Sequence, residues 1–193
     1  MKPIYKERVE YEHDMERCRR IEMGLLNKLL GGKGQEAPKK EIIEKNTVYA
    51  PVDGDLIALA DFPDEVFREG VLGPGCGIVP KGEVVRAPFH GTIIALQDTG
   101  HAVGMMSEDG VELLIHVGID TVGLNGKGFT PRVKTGDRVV KGQELLEFSL
   151  ETIHAAGLCS TVAVTVPNAA QFQSVKTAEP GTVDNNTVII TLE

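Results

Sequence analysis

Two of the five histidines, His101 and His116, fall in short apolar runs separated by a loop, and a hairpin there would bring imidazole to imidazole. At an unperturbed pKa of about 6.5, a neutral ring nitrogen is available as a nucleophile near neutral pH. One ring can then attack phosphorus. The other can donate a hydrogen bond to the phosphoryl oxygens, which share the charge during transfer. Thr99, two residues before His101 and on the same strand parity, adds a hydroxyl donor. In Val111-Glu-Leu-Leu-Ile-His-Val117, strict alternation sends Val111, Leu113, Ile115 and Val117 to one face and Glu112, Leu114 and His116 to the other. The preceding run is His101-Ala-Val-Gly-Met-Met106. A four-residue loop, Ser107-Glu-Asp-Gly110, would set His101 opposite His116, with Cβ atoms about 4.5–5.5 Å apart. A two-residue Asp109-Gly110 turn would set Val103 there instead. The first register is preferred because it makes one site of two histidines.

These residues need a β framework, and the chain supplies its signature. From Thr47 onward, short runs of Val, Ile, Leu and Thr are punctuated by Gly, Pro, Asn and Asp. Strands are expected at 47–50, 55–60, 76–79, 83–87, 91–97, 101–106, 111–117, 129–133, 144–149, 160–166 and 187–192. The fold class is all-β, a sandwich or partly closed barrel. An internal echo points to duplication: Tyr49-Ala-Pro-Val-Asp-Gly-Asp-Leu-Ile-Ala-Leu59 matches Arg86-Ala-Pro-Phe-His-Gly-Thr-Ile-Ile-Ala-Leu96. Two copies are too few for a solenoid. Val133 to Leu146 places Gly136-Asp137 and Lys141-Gly142 at turns and resembles the hammerhead hairpins of the lipoyl and biotinyl hybrid motif.

Ahead of this domain, Tyr11, Met15, Cys18, Ile21, Leu25 and Leu29 recur at helical spacing. The expected division is an amphipathic helical extension over 1–32, a flexible linker over 33–45 and the β domain over 46–193. Within residues 6 to 30, six basic side chains meet six acidic ones, which argues against a polybasic membrane anchor. A solvated helix is the plain reading, ahead of packing on a partner or a second copy.

Twenty basic against twenty-eight acidic residues give a net charge of −8, which disfavours nucleic acid and anionic lipid as partners. Cys18, Cys76 and Cys159 are odd in number and widely spaced, suiting a reducing compartment and small buried apolar roles. The start lacks a signal-peptide core, and no run of about 18 apolar residues occurs, so a cytoplasmic location is expected.

Leu113-Leu-Ile-His116-Val-Gly-Ile-Asp120-Thr-Val122, preceded by Asp98-Thr-Gly-His101-Ala and followed by Leu124-Asn-Gly-Lys-Gly-Phe129, resembles the glucose-family enzyme IIA domain of the bacterial sugar phosphotransferase system. The likeness also takes in Pro63-Asp-Glu-Val-Phe67 and runs from about Thr47 to Glu193. It implies a phosphotransferase component with a duplicated hybrid fold. By this resemblance His116 is phosphorylated on Nε2 by the phosphocarrier protein HPr and passes the group to a sugar-specific enzyme IIB. His101 steadies the transferring group, Thr99 orients His101, and Asp120 is the acidic residue beside the site. Val66, Phe67, Leu72, Leu114 and Val122 fall at the apolar rim on which partners dock. No cofactor is implied, the membrane is met only through the permease, and regulatory targets of the unphosphorylated form fit such a module. Gln97 departs from a common aromatic, and His90 stands where Asp is usual and reads as a surface substitution. His13 and His154 fall outside the site and read as solvated.

Three rivals lack parts. A zinc peptidase of the lysostaphin type could use His116 and Asp120, but the chain has no His-x-His. His101 and His116 would hold zinc only if a partner supplied a third ligand. A biotinyl or lipoyl carrier needs a modified lysine tip that Val133 to Leu146 does not offer. Gly126-Lys127-Gly128 lacks the spacing and the Ser/Thr of a P-loop.

Overall fold

The computed structural model describes residues 44–193. The amphipathic extension and nearly all of the linker lie outside the described residues, as do Cys18 and His13.

Fourteen strands follow in order: β1 (Thr47–Tyr49), β2 (Gly54–Ala58), β3 (Gly75–Pro80), β4 (Val84–Arg86), β5 (Gly91–Leu96), β6 (Ala102–Ser107), β7 (Glu112–Val117), β8 (Phe129–Pro131), β9 (Arg138–Val139), β10 (Glu144–Phe148), β11 (Val162–Thr165), β12 (Val175–Thr177), β13 (Gly181–Val183) and β14 (Val188–Leu192). They form an eight-stranded sheet in the order β13-β2-β3-β11-β7-β6-β5-β9 and two three-stranded sheets, β1-β14-β12 and β4-β10-β8. The architecture is an all-β sandwich. Val48, Ile190, Val85 and Leu146 of the small sheets share one core with Ile78, Val103, Ile115 and Val164 of the large sheet.

The sequence echo has a structural counterpart. Each copy runs from a small-sheet strand, β1 or β4, through a turn into a large-sheet strand, β2 or β5. The copies also exchange hydrogen bonds at equivalent positions. Arg86 N–H donates to the Pro51 carbonyl at 2.7 Å, and Tyr49 N–H donates to the Pro88 carbonyl at 3.2 Å. The large sheet reads outward alike from its centre, β11-β3-β2-β13 on one side and β7-β6-β5-β9 on the other. Val117 N–H donates to the His101 carbonyl at 2.8 Å, and its counterpart Val166 N–H donates to the Pro74 carbonyl at 2.9 Å. By that correspondence Thr165 takes the place of His116.

One connection breaks the symmetry. β5 and β6 are joined by residues 97–101, whereas residues 59–74 join β2 and β3 and hold a 3-10 turn (Leu59–Asp61) and a single helical turn (Glu65–Arg68). Asp64 starts that turn, its side chain accepting from Phe67 N–H at 3.2 Å. Phe62 and Phe67 from this connection bury themselves with Ala163, and Ile57, Leu59 and Ile119 pack around them. Gly77 leaves the room this needs, since a Cβ there would lie 2.8 Å from the Phe62 ring. This small second cluster borders the histidines.

The hairpin register differs from both expected ones. Ala102 lies opposite His116, and Val103 opposite Ile115. The loop is Glu108-Asp109-Gly110, closed by Ser107 N–H to the Val111 carbonyl and by Val111 N–H to Ser107 Oγ, each 2.9 Å. Gly110, at φ +90°, makes the three-residue loop accessible. The Asn168 side chain braces the start of β7, accepting from Glu112 N–H at 3.0 Å and donating to the Gly110 carbonyl at 2.8 Å.

Candidate active site

His116 stands near the end of β7, in the middle of the eight-stranded sheet. Alternation works here as expected: Val111, Leu113, Ile115 and Val117 are sealed in the core, leaving His116 half-buried on the opposite face. Ala163 of β11 and Ala102 of β6 flank it, and both are small enough to leave space beside the ring.

His101 reaches the same face by another route. It precedes β6 in a bend that follows Gly100 at φ +70°, so strand alternation does not fix its side chain. Its ring meets that of His116 edge to face, with centroids 4.9 Å apart and planes at 80°. Thr99 lies in the turn rather than on a strand, yet its Oγ1 is 2.5 Å from His101 Nδ1. With that hydroxyl donating, the His101 ring proton sits on Nε2 and is available to an oxyanion.

The tautomer of His116 follows from its partner. Nδ1 is 2.8 Å from the Gly118 carbonyl oxygen, which can only accept, so Nδ1 carries the proton and Nε2 keeps its lone pair. Gly118 holds φ +75°, and a Cβ there would lie 2.4 Å from Thr121 Cγ2 and 2.8 Å from the Cys159 carbonyl. Only glycine suits this position.

The surroundings of both rings favour the neutral form. Burial lowers the pKa of His101. Burial and then the neighbouring His101 lower that of His116, against the opposing pull of the Gly118 carbonyl, Asp64 and Asp120. A neutral, singly protonated imidazole is the nucleophilic form.

The expected site residues are therefore placed as follows. His116, His101 and Thr99 converge. Asp120 is exposed at φ +57°, opening the 3-10 turn Thr121–Leu124, and acts on His116 through its charge. Val66, Leu72 and Val122 are exposed, and Leu114 is half-buried. Phe67 is 6 % exposed and packs on the His116 ring at 5.3 Å between centroids, so it forms a wall of the site. The sequence reading missed the roles of Gly118, Thr121 and Asp64, although all three lie inside the motifs it quoted, and it missed Val71, exposed beside Leu72. His90 is not a simple surface residue: it is half-buried, and its Nδ1 accepts from Lys141 N–H at 3.0 Å. His154 is exposed, with Nε2 3.0 Å from Ser160 Oγ. Cys76 is buried, its thiol pushed up to about 12 by desolvation, and Cys159 is half-buried; both are free thiols.

Among the described residues no group of three or more His, Cys, Asp or Glu side chains could hold a metal ion. Nor is any described helix long and apolar enough to cross a membrane.

Comparison with known proteins identifies the family and the fold. Residues 46–172 match the family described as the phosphoenolpyruvate-dependent sugar phosphotransferase system, EIIA 1. The chain is 40 % identical over 144 residues to the beta-glucoside-specific EIIBCA component of Dickeya chrysanthemi, covering 75 % of this chain and 23 % of that protein. It is 38 % identical over 149 residues to the glucose-specific EIIA component of Buchnera aphidicola, covering 77 % of this chain and 92 % of that one. The solved glucose permease IIA from Mycoplasma capricolum superposes with a TM-score of 0.67 at 32 % identity, over 75 % of this chain and 93 % of that one. The chain matches only 18 % to 23 % of the length of the three fused relatives from Dickeya, Staphylococcus and Corynebacterium. The likeness to these relatives runs across three-quarters of the sequence, and the chain belongs to the EIIA 1 family of sugar phosphotransferase-system components.

Proposed function

We propose that the chain is a phosphohistidine carrier that accepts a phosphoryl group from HPr on Nε2 of His116 and passes it to a sugar-specific enzyme IIB. The observation that carries this reading is the 2.8 Å contact of His116 Nδ1 with the Gly118 carbonyl, which leaves Nε2 as the free lone pair.

In the loading step, the Nε2–phosphorus bond forms as the bond from phosphorus to the donor breaks, and the donor leaves with that electron pair. His101 Nε2–H, held by Thr99 on the far side of the ring, donates to the phosphoryl oxygens as their charge develops. Release reverses the roles, with the enzyme IIB nucleophile attacking phosphorus and His116 as leaving group. Asp120 and Asp64 place negative charge near the site, which limits how tightly a phosphoryl dianion is held and favours partners with basic surfaces. Val66, Leu72, Leu114 and Val122 offer the apolar contact for both partners, while Phe67 is buried against the His116 ring. The reaction as written involves no cofactor. Zinc bound by His101 and His116 would need a third ligand from a partner. The cytoplasm is where such partners would meet it, with the membrane engaged through the permease alone.

Incubation with phosphorylated HPr should leave an acid-labile, alkali-stable label on His116. His116→Ala should abolish uptake, whereas His101→Gln should permit slow uptake and block onward transfer to enzyme IIB. Label that persists unchanged in His116→Ala would overturn the assignment.

A further inference from the structure

Resting on that reading, we propose that Thr121 is a positioning residue for phosphoryl transfer, locking Gly118 so that its carbonyl holds the His116 ring with the lone pair on Nε2. Thr121 is among the few fully buried polar side chains of the described residues, and its Oγ1 donates to the Val117 carbonyl at 2.6 Å. The N–H of the same peptide unit, on Gly118, donates to the Thr161 carbonyl at 3.2 Å. The peptide before Gly118 is therefore held at both ends. The one after it is held likewise: Ile119 N–H donates to the Cys159 carbonyl at 2.9 Å, and the Gly118 carbonyl accepts from His116 Nδ1–H at 2.8 Å.

Gly118, at φ +75° and without a Cβ, would otherwise be the loosest joint next to the nucleophile. Of the bonds that fix it, those to Thr161 and Cys159 are backbone to backbone. Thr121 supplies the one side-chain bond apart from that of His116 itself, and its methyl fills the space where a Gly118 Cβ would stand. Asp120, immediately before it, makes no capping hydrogen bond with its side chain, so it does not share this task. Without the Thr121 hydroxyl the Val117–Gly118 peptide keeps only its bond to Thr161, so the joint at Gly118 loosens and the carbonyl that accepts from His116 Nδ1–H shifts against the ring. The ring proton is then free to move to Nε2, the nitrogen that must attack.

The test compares wild-type protein, Thr121→Val and Thr121→Ser by 15N NMR of the imidazole nitrogens, and measures phosphoryl uptake from phosphorylated HPr on the same samples. Wild type should show His116 protonated on Nδ1. Thr121→Val, which keeps the shape and loses the hydroxyl, should show a mixture of ring protonation states and uptake slowed about tenfold, the order expected for one lost buried hydrogen bond. Thr121→Ser, which keeps the hydroxyl, should retain the wild-type ring pattern and rate. The proposal is overturned by a Thr121→Val protein with wild-type ring pattern and uptake, or by a Thr121→Ser protein that loses the Nδ1 proton. Absence of uptake in wild type would defeat the proposed function alone, because the ring spectra still decide whether Thr121 governs the His116 tautomer.

Discussion

His116 carries its proton on the nitrogen facing Gly118, and burial together with His101 holds its pKa below the usual imidazole value. Phosphoryl uptake should therefore persist to lower pH than a free imidazole allows, falling only once the pH passes below about 6.5 and through the depressed folded value. Initial uptake rates from phosphorylated HPr, measured between pH 5 and 8 and corrected for the donor's own titration, check this. Stability follows from the same shift. The unfolded chain binds more protons than the folded one between the depressed values and about 6.5, so stability rises with pH across that window and is flat above it for these groups. His116→Gln should weaken that slope in urea unfolding measured at a series of pH values. A slope steeper in the variant than in wild type would contradict the burial account.

At the scale of elements, the connection between β2 and β3 makes one side of the site, and it should be the sensitive part. Phe67→Ala removes a buried ring from a small satellite cluster and should cost about 3 kcal/mol while loosening the His116 ring. Asp64→Ala removes the cap of a one-turn helix and should cost about 1 kcal/mol. Chemical denaturation gives both numbers, and Phe67→Ala should in addition broaden the His116 ring resonances; sharp, unshifted resonances would deny Phe67 its wall role. All eleven strands legible in the sequence are present, most of them as alternating or continuous apolar runs bounded by turn formers. The three it hid, β9, β12 and β13, are two or three residues long and lie between turns, too short for a period to show. The hairpin register was misread by one residue because the Ser107 hydroxyl and the positive φ of Gly110 select a three-residue loop. The histidines meet regardless, since the bend at Gly100 frees His101 from alternation. Residue types thus disclosed the pair, while the bend that joins it was visible only as a glycine.

For the whole molecule, function depends on what surrounds the pair. Val66, Val71, Leu72 and Val122 are exposed apolar side chains, and the side-chain charges that act on His116 from Asp64 and Asp120 are acidic. Apolar contact ringed by charge suits brief, specific encounters. Val122→Asp should slow transfer from HPr and to enzyme IIB at least tenfold while leaving the unfolding midpoint within experimental error, because Val122 is 54 % exposed and holds no core. Equal transfer rates in that variant would place the docking surface elsewhere.

Thr165, at the sister position of His116, is fully buried, and its hydroxyl is the one buried side-chain polar atom among the described residues with no partner. A donor protein cannot reach it, and an alcohol cannot replace an imidazole as a rapidly reversible phosphoryl acceptor. Repetition of the framework therefore brings no repetition of the cargo: each polypeptide should saturate at a single phosphate, and titration with excess phosphorylated HPr should end at one equivalent.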